Sequence, residues 1–196
     1  MENNFFETMI LTFKLASVTT VILFFISLPL AWFLATTQNR LRPIVEAIVS
    51  MPLVLPPSVL GFYLLLAFSP ASVIGEWLVA HGIRLAFSFE GLVVGSILFS
   101  LPFMVHPIQS AMANVPKNLI EASWTLGKSK LTTFLRVILP LIRPGLLSGV
   151  VLAFAHTVGE FGVILMIGGN IPGETRVASI AIYDEVEALN YAAAHQ

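Results

Sequence analysis

LASVTTVILFFISLPLAWFLA, residues 15–35, carries no formal charge. As a helix rising about 1.5 Å per residue it is long enough to cross a hydrocarbon core of about 30 Å. The rest of the chain has the same character. Of 196 residues 57% are hydrophobic and only 11% charged, and the mean hydropathy is +0.89, far from soluble composition. The sequence therefore specifies an integral membrane protein, all-α and polytopic. Residues 52–68, 89–110 and 146–167 supply three further spans. The second of these three is expected to be broken by Pro102 and Pro107, and the last carries His156 and Glu160.

The N-terminus lacks the basic region and small-residue cleavage site of a secretory signal, so the first span is expected to remain as an anchor. The chain has no cysteine, which excludes disulfides, thiolate metal sites and thiol catalysis. The net charge of -1 decides nothing, but the placement of the cations does. Arg40 and Arg42 follow the first span, and Lys117, Lys128, Lys130, Arg136 and Arg143 cluster between the third and fourth; the other loops hold only Arg84 and Arg176. Positive-inside bias puts the two basic loops in the cytoplasm and the N-terminus outside. Lys14, at the outer end of the first span, either snorkels to the headgroups or borders a pathway. Glu76, Glu90, Glu174, Asp184, Glu185 and Glu187 fall outside and read as a wetted surface.

Residues 114–140 form a polar, helix-competent segment between apolar spans. Leu119, Ala122, Ser123 and Leu126 recur on one helical face, Pro116 suits a first turn, and Gly127 suits a helix end that needs positive φ. Leu131, Phe134, Leu135 and Ile138 form a second face, which Pro140 halts. A helix-turn-helix at the membrane edge is expected. Small Ala122 and Ser123 would admit a partner's backbone and Glu121 would pair with its cation, or the element rests on lipid as an interfacial amphipathic helix. Gly127-Lys128-Ser129 ends like a phosphate loop, but Ala122 stands where the leading glycine is required and no buried strand precedes it, so nucleotide chemistry belongs elsewhere. No zinc-protease or serine-hydrolase motif appears.

His156 and Glu160 stand four apart within the fourth span and would share a helical face, away from lipid. They read either as a structural pair or as residues of a gate. Gly159 and Gly162 flank the carboxylate and suit a broken segment beside a pathway. His106, beside Pro107, reads as interfacial. Gly145, Gly149 and Ala153 make a small stripe and Gly91 with Gly95 begins another, which allow close helix approach. Pro29, Pro52, Pro56 and Pro57 are expected to kink or interrupt spans.

The segment Glu121-Ala122-Ser123, then Gly127, Val137, Leu139 and Pro140, resembles the EAA loop of ATP-binding-cassette import permeases. Ser123 stands for the second alanine and Val137 for the isoleucine. In that family the loop docks into a groove of a separate ATPase subunit. The resemblance extends over nearly the whole chain, through Pro52-Leu53-Val54-Leu55-Pro56-Pro57, Gly61-Phe62-Tyr63, Gly159-Glu160-Phe161-Gly162, residues 169–175 and Ala181-Ile182-Tyr183. These segments are similar to the molybdate permeases, whose sulfate and tungstate relatives share the Gly-Glu-aromatic-Gly segment.

The resemblance implies a permease of a bacterial inner membrane without an ATPase site or cofactor of its own. Two copies would enclose a pathway on a two-fold axis, with ATPase subunits beneath and an extracytoplasmic oxyanion-binding protein above. ATP-driven closure would draw the EAA loops together and open the pathway outward. His156, Thr157, Gly159, Glu160, Phe161 and Gly162 become candidates for the gate, with membrane lipid around the bundle and no nucleic acid among the partners. Residues 1–196 read as a single permease domain that lacks the final helix with which family members continue. A secondary transporter or channel acting alone would explain the kinked spans but leaves the EAA spacing without a reason. An intramembrane enzyme lacks a nucleophile and base.

Overall fold

A computed structural model describes residues 2–195 of the chain, and among them all regular structure is helical. The elements are α1 (Glu2–Thr36), α2 (Arg42–Val54), α3 (Pro57–Phe68), α4 (Val73–Ala80), α5 (Phe89–Ala113), α6 (Lys117–Thr125), α7 (Lys130–Thr133), a π turn (Phe134–Ile138), α8 (Leu139–Leu141), α9 (Arg143–Gly159), α10 (Gly162–Gly168), α11 (Ala178–Glu187) and α12 (Tyr191–Ala194). Among the described residues only α1, over Phe5–Thr36, and α5 are each long and apolar enough to cross a membrane. At 25 residues, α5 measures about 37 Å. The remaining apolar sequence is bent: α2 meets α3 at 112°, and the segment Lys130–Leu141 meets α9 at 71°. Counting each bent pair as one span gives up to four, the number the hydropathy implies.

Three proline expectations are corrected by this geometry. Residues 89–113 stay one helix through Pro102 and Pro107, α1 runs unbroken through Pro29, and α2 continues through Pro52. Each proline removes one intrahelical bond, a loss that packing against neighbouring helices tolerates in a membrane bundle. The chain does break at Pro56-Pro57. There Leu55 and Pro56 both sit at ψ 133°, since a residue before proline is driven from the helical region. The fourth span also ends early. Helix α9 stops at Gly159, Glu160 is extended at φ -69°, ψ 138°, and α10 starts afresh at Gly162.

Helix α5 is the centre of the bundle, with α1 and α9 packed along it and α10 and α3 against its opposite half. Leu23, Ala31, Leu34, Met104, Val105, Ile108 and Ala153 form one core together with Ile138 and Ile142. A second core joins Leu11 and Leu15 to Leu92, Ile164, Val177 and Ile180 near the other end of α1. The small stripe of α9 faces α5. A Cβ on Gly149 would lie 3.0 Å from the Met104 carbonyl oxygen, and one on Gly145 would overlap Ala111. Helix α3 approaches α10 as closely, with Gly61 so placed that a Cβ would stand 2.9 Å from the Val163 Cα.

The turn after α10 is fixed by side chains. Thr175 donates to the Gly168 carbonyl at 2.7 Å and accepts from the Ile171 amide at 2.9 Å. Asn170 bonds Asp184 at 2.8 Å and Arg176 at 2.7 Å, while Arg176 pairs with Asp184 at 3.5 Å. Thr12 of α1 accepts from the Ala178 amide at 2.9 Å, which ties α11 to the start of the bundle. Lys14 lies over the Phe89 ring, 4.6 Å from its centroid, at the distance of a cation–π contact.

Candidate functional site

Two regions gather the residues singled out from sequence, and the first is the element between α5 and α9. Pro116 precedes α6 as its N-cap, and Gly127 ends it at φ 71°. The Gly127 amide bonds the Trp124 carbonyl at 2.8 Å and the Lys128 amide bonds the Ser123 carbonyl at 3.1 Å. This is the pair of bonds that a left-handed residue after a helix makes possible. After the turn, Ser129 caps α7 by accepting from the Thr132 amide. The expected helix-turn-helix is present, but its second half departs from α-geometry: Phe134–Ile138 forms a π turn, and Pro140 lies inside α8 rather than ending it.

The faces of this element differ from the sequence expectation in two respects. Glu121, Ala122, Trp124 and Leu126 are exposed, whereas Ser123 is buried and shares a hydrogen bond of 2.8 Å with buried Thr133. Ser123 therefore closes the helix-turn-helix from inside and does not face a partner. The second apolar face is likewise divided. Leu131 and Leu135 are exposed, while Phe134 and Leu139 pack on the core and Ile138 lies within it. Val137 is half-buried and Pro140 exposed. The Phe134 ring meets Trp32 edge to face at 5.4 Å, so the element is seated directly on the end of α1.

The second region is the break between α9 and α10. A cleft of about 640 Å³ opens there, lined by Pro57, Ser58, Phe99, His156, Glu160 and Phe161 among others. His156 and Glu160 meet at this cleft but not on one helical face, because the extended backbone at Glu160 ends the helix first. The Glu160 carbonyl accepts from Ser179 at 2.5 Å. Its two carboxyl oxygens are buried without a hydrogen bond; the Ser96 hydroxyl interacts with them, yet lacks a bond of normal geometry. Gly162 is required by space, since a Cβ would stand 2.7 Å from Pro57 Cβ. Gly159 has open space around it.

His156 is held by α5. Its ring stacks on Phe103 at 4.0 Å and 25°, and its Nδ1 lies 2.9 Å from the Ser100 hydroxyl. Ser100 in turn is 3.0 Å from Thr157, which is almost wholly buried and donates to the Ala153 carbonyl at 2.8 Å. Ser58, Ser96, Ser100 and Thr133 were not foreseen. The signal for two of them was legible: Ser96 and Ser100 are polar residues one helical turn apart in the otherwise apolar stretch 91–105, on a common face. His106 joins α5 to α2, its Nε2 lying 3.1 Å from the Ser50 hydroxyl. Among the described residues no cluster of three or more His, Asp and Glu side chains is arranged to hold a metal ion.

Comparison with known proteins places this geometry. Residues 27–194 match the family described as binding-protein-dependent transport system inner membrane component. The chain is 50% identical over 186 residues to the molybdenum transport system permease protein ModB of Azotobacter vinelandii, covering 94% of this chain and 82% of that one. It is 35% identical over 165 residues to the probable sulfate transport system permease protein cysT of Nephroselmis olivacea, covering 84% of this chain and 58% of that protein. Among solved structures, a chain of the MetNI methionine ABC transporter in an inward facing form shares the fold. Its TM-score is 0.69 at 20% identity, over 93% of this chain and 82% of that chain.

Proposed function

The chain belongs to the family of binding-protein-dependent transport system inner membrane components, and from that premise we propose that it is the permease subunit of an ATP-driven molybdate importer. The observation that carries the substrate is the 50% identity, along 94% of the chain, to a molybdenum permease. The sulfate permease stands further off at 35%, so sulfate is the second choice of oxyanion. ATP is hydrolysed by a separate subunit, which grips the exposed face of α6 at Glu121, Ala122, Trp124 and Leu126. Leu131, Leu135 and Pro140 extend that surface, and the buried Ser123, the half-buried Val137 and Leu139 and the turn at exposed Gly127 give it its shape.

Force delivered to α6 reaches the bundle through Phe134 on Trp32 and through the 71° joint into α9. The cleft at the α9–α10 break is the gate, with His156, Glu160 and Phe161 at its wall, Gly159 and Gly162 as its joints and Thr157 as its brace. A second copy of the chain completes the pathway, and an extracytoplasmic binding protein delivers the anion. The basic loops around Arg40 and Lys117 face the cytoplasm and the N-terminus lies outside. Lipid covers the exposed apolar surface of α1 and α9, including Phe25, Leu147 and Val151.

The test is reconstitution in liposomes with the cognate ATPase and binding protein. Molybdate uptake that requires ATP and both partners is expected, with sulfate a weak competitor. Flux through the chain alone, or sulfate carried in preference to molybdate, would overturn the assignment.

A further inference from the structure

The hydrogen bonds around His156 leave no freedom in where the protons sit. Thr157 Oγ1 has one hydrogen and lies 2.8 Å from the Ala153 carbonyl oxygen, which can only accept. Its hydrogen is therefore spent, and in its 3.0 Å bond with Ser100 it must accept. Ser100 then spends its own hydrogen on Thr157. In the 2.9 Å bond between Ser100 Oγ and His156 Nδ1, the imidazole must be the donor. The neutral ring thus carries its hydrogen on Nδ1, and Nε2 presents a lone pair. Nε2 makes no hydrogen bond and is not among the buried unpartnered atoms, so it opens to the cleft that His156 lines.

Such an atom is a poor surface for an anion. An oxyanion oxygen offers lone pairs, and a lone pair on Nε2 repels it unless a hydrogen lies between them. The Phe103 ring stacked at 4.0 Å and the Ser100 bond keep the imidazole from turning its Nδ1–H outward instead. Among the described residues, the one other titratable side chain in the cleft lining is Glu160, whose carboxyl oxygens are buried beneath the surface; Tyr183 of α11 lies behind Phe161, ring to ring at 4.7 Å.

We propose that the hydroxyl relay from Ala153 through Thr157 and Ser100 fixes His156 as a hydrogen-bond acceptor toward the pathway. A tetrahedral oxyanion engages it only with a proton held between Nε2 and one of its oxygens. The proton comes either with the imidazolium or with the singly protonated anion, and no bond to the central atom changes. Ser100 is a positioning residue here, acting through the ring it orients. The inference rests on the importer reading for its substrate, but not for its tautomer.

The experiment uses the permease assembled with its ATPase in lipid nanodiscs, labelled with ¹⁵N-histidine and examined at about pH 8, where an ordinary imidazole is neutral. His156, identified by the signal lost in His156→Asn, should show a protonated Nδ1 and an unprotonated Nε2. In Ser100→Ala the hydrogen should move to Nε2, and in Ser100→Thr it should stay. In liposomes the KM for oxyanion uptake should rise about tenfold per pH unit above the imidazole range, as mass action on one proton requires. Ser100→Ala should flatten that rise and Ser100→Thr should keep it. Hydrogen on Nε2 in the parent protein, or an unchanged pH profile in Ser100→Ala, overturns the proposal. Loss of all molybdate uptake in the parent would instead overturn the importer reading, and the tautomer would still be decided by the spectrum.

Discussion

Substitution of the glycines of α9 by alanine should produce a graded series that the interhelical distances set in advance. At Gly145 the new Cβ would overlap Ala111 and lie 2.9 Å from the Pro107 carbonyl oxygen. Both are held by α5 and neither is the movable end of a long side chain. Overpacking of this kind costs about 1–3 kcal/mol, against a gain of about 0.5–1 kcal/mol for replacing a helical glycine. The net for Gly145→Ala is a loss of up to about 2.5 kcal/mol, and the overlap with Ala111 places it in the upper part of that range. At Gly149 the Cβ would meet the Met104 carbonyl oxygen at 3.0 Å and the Ile108 side chain at 3.4 Å. A shift of a few tenths of an ångström relieves it, so the two terms nearly cancel. Gly159 has no heavy atom within 4 Å of a Cβ, and Gly159→Ala should stabilise by about 0.5 kcal/mol. Unfolding of the purified chain in mixed micelles titrated with sodium dodecyl sulfate reads all three. The order Gly145→Ala least stable, Gly149→Ala near the parent and Gly159→Ala at or above it is expected. A Gly145→Ala protein as stable as the parent would refute the claim that the stripe is a contact within the chain.

Ser123→Ala and Thr133→Val should each cost about 1 kcal/mol by leaving a buried hydroxyl unpaired, and the double variant should cost less than the sum; strict additivity would show that the 2.8 Å bond contributes nothing. Gly127→Val places a branched side chain at φ 71°, a strain of about 1–2 kcal/mol, and should uncouple ATP hydrolysis from uptake while membrane insertion persists. Glu121→Lys should weaken ATPase binding in pull-down without changing chain stability, and undiminished uptake would remove Glu121 from the interface. Phe161→Cys should react with a water-soluble thiol reagent at a rate that changes on ATP binding, because Phe161 lines the cleft; a rate that is the same in every nucleotide state would argue against a gate there.

The apolar runs made α1 and α5 legible, and Gly127 with its flanking pattern located the turn between α6 and α7. Prolines were harder to read, because their effect depends on surroundings. Pro102 and Pro107 lie inside a helix that continues through both, whereas the tandem Pro56-Pro57 leaves two consecutive residues extended. Ser123 misled for a related reason. Its small size fitted an outward contact, but its partner Thr133 is ten residues away across a turn, and periodicity within one helix does not reveal such a pairing. The pairing of His156 with Glu160 assumed a continuous helix, and the break at Glu160 and Phe161, with Glu160 extended, removed it. The relay through Ser100 depends on a bond between residues 56 positions apart in sequence, beyond the reach of any local pattern.

The close seating of α3 on α10 has a consequence for how the protein is made. Gly61 meets the backbone at Val163, and that surface is synthesised roughly a hundred residues later, about 5–20 s at ~5–20 residues per second. Throughout that interval α3, with 12 residues and about 18 Å of length, has no partner for its glycine face and is too short to hold a crossing by itself. The 112° joint with α2 is therefore settled after insertion, when α10 arrives. Translation order makes the packing of α3 on α10 a late part of the bundle to form, and leaves α3 exposed to membrane quality control if synthesis stalls before α10.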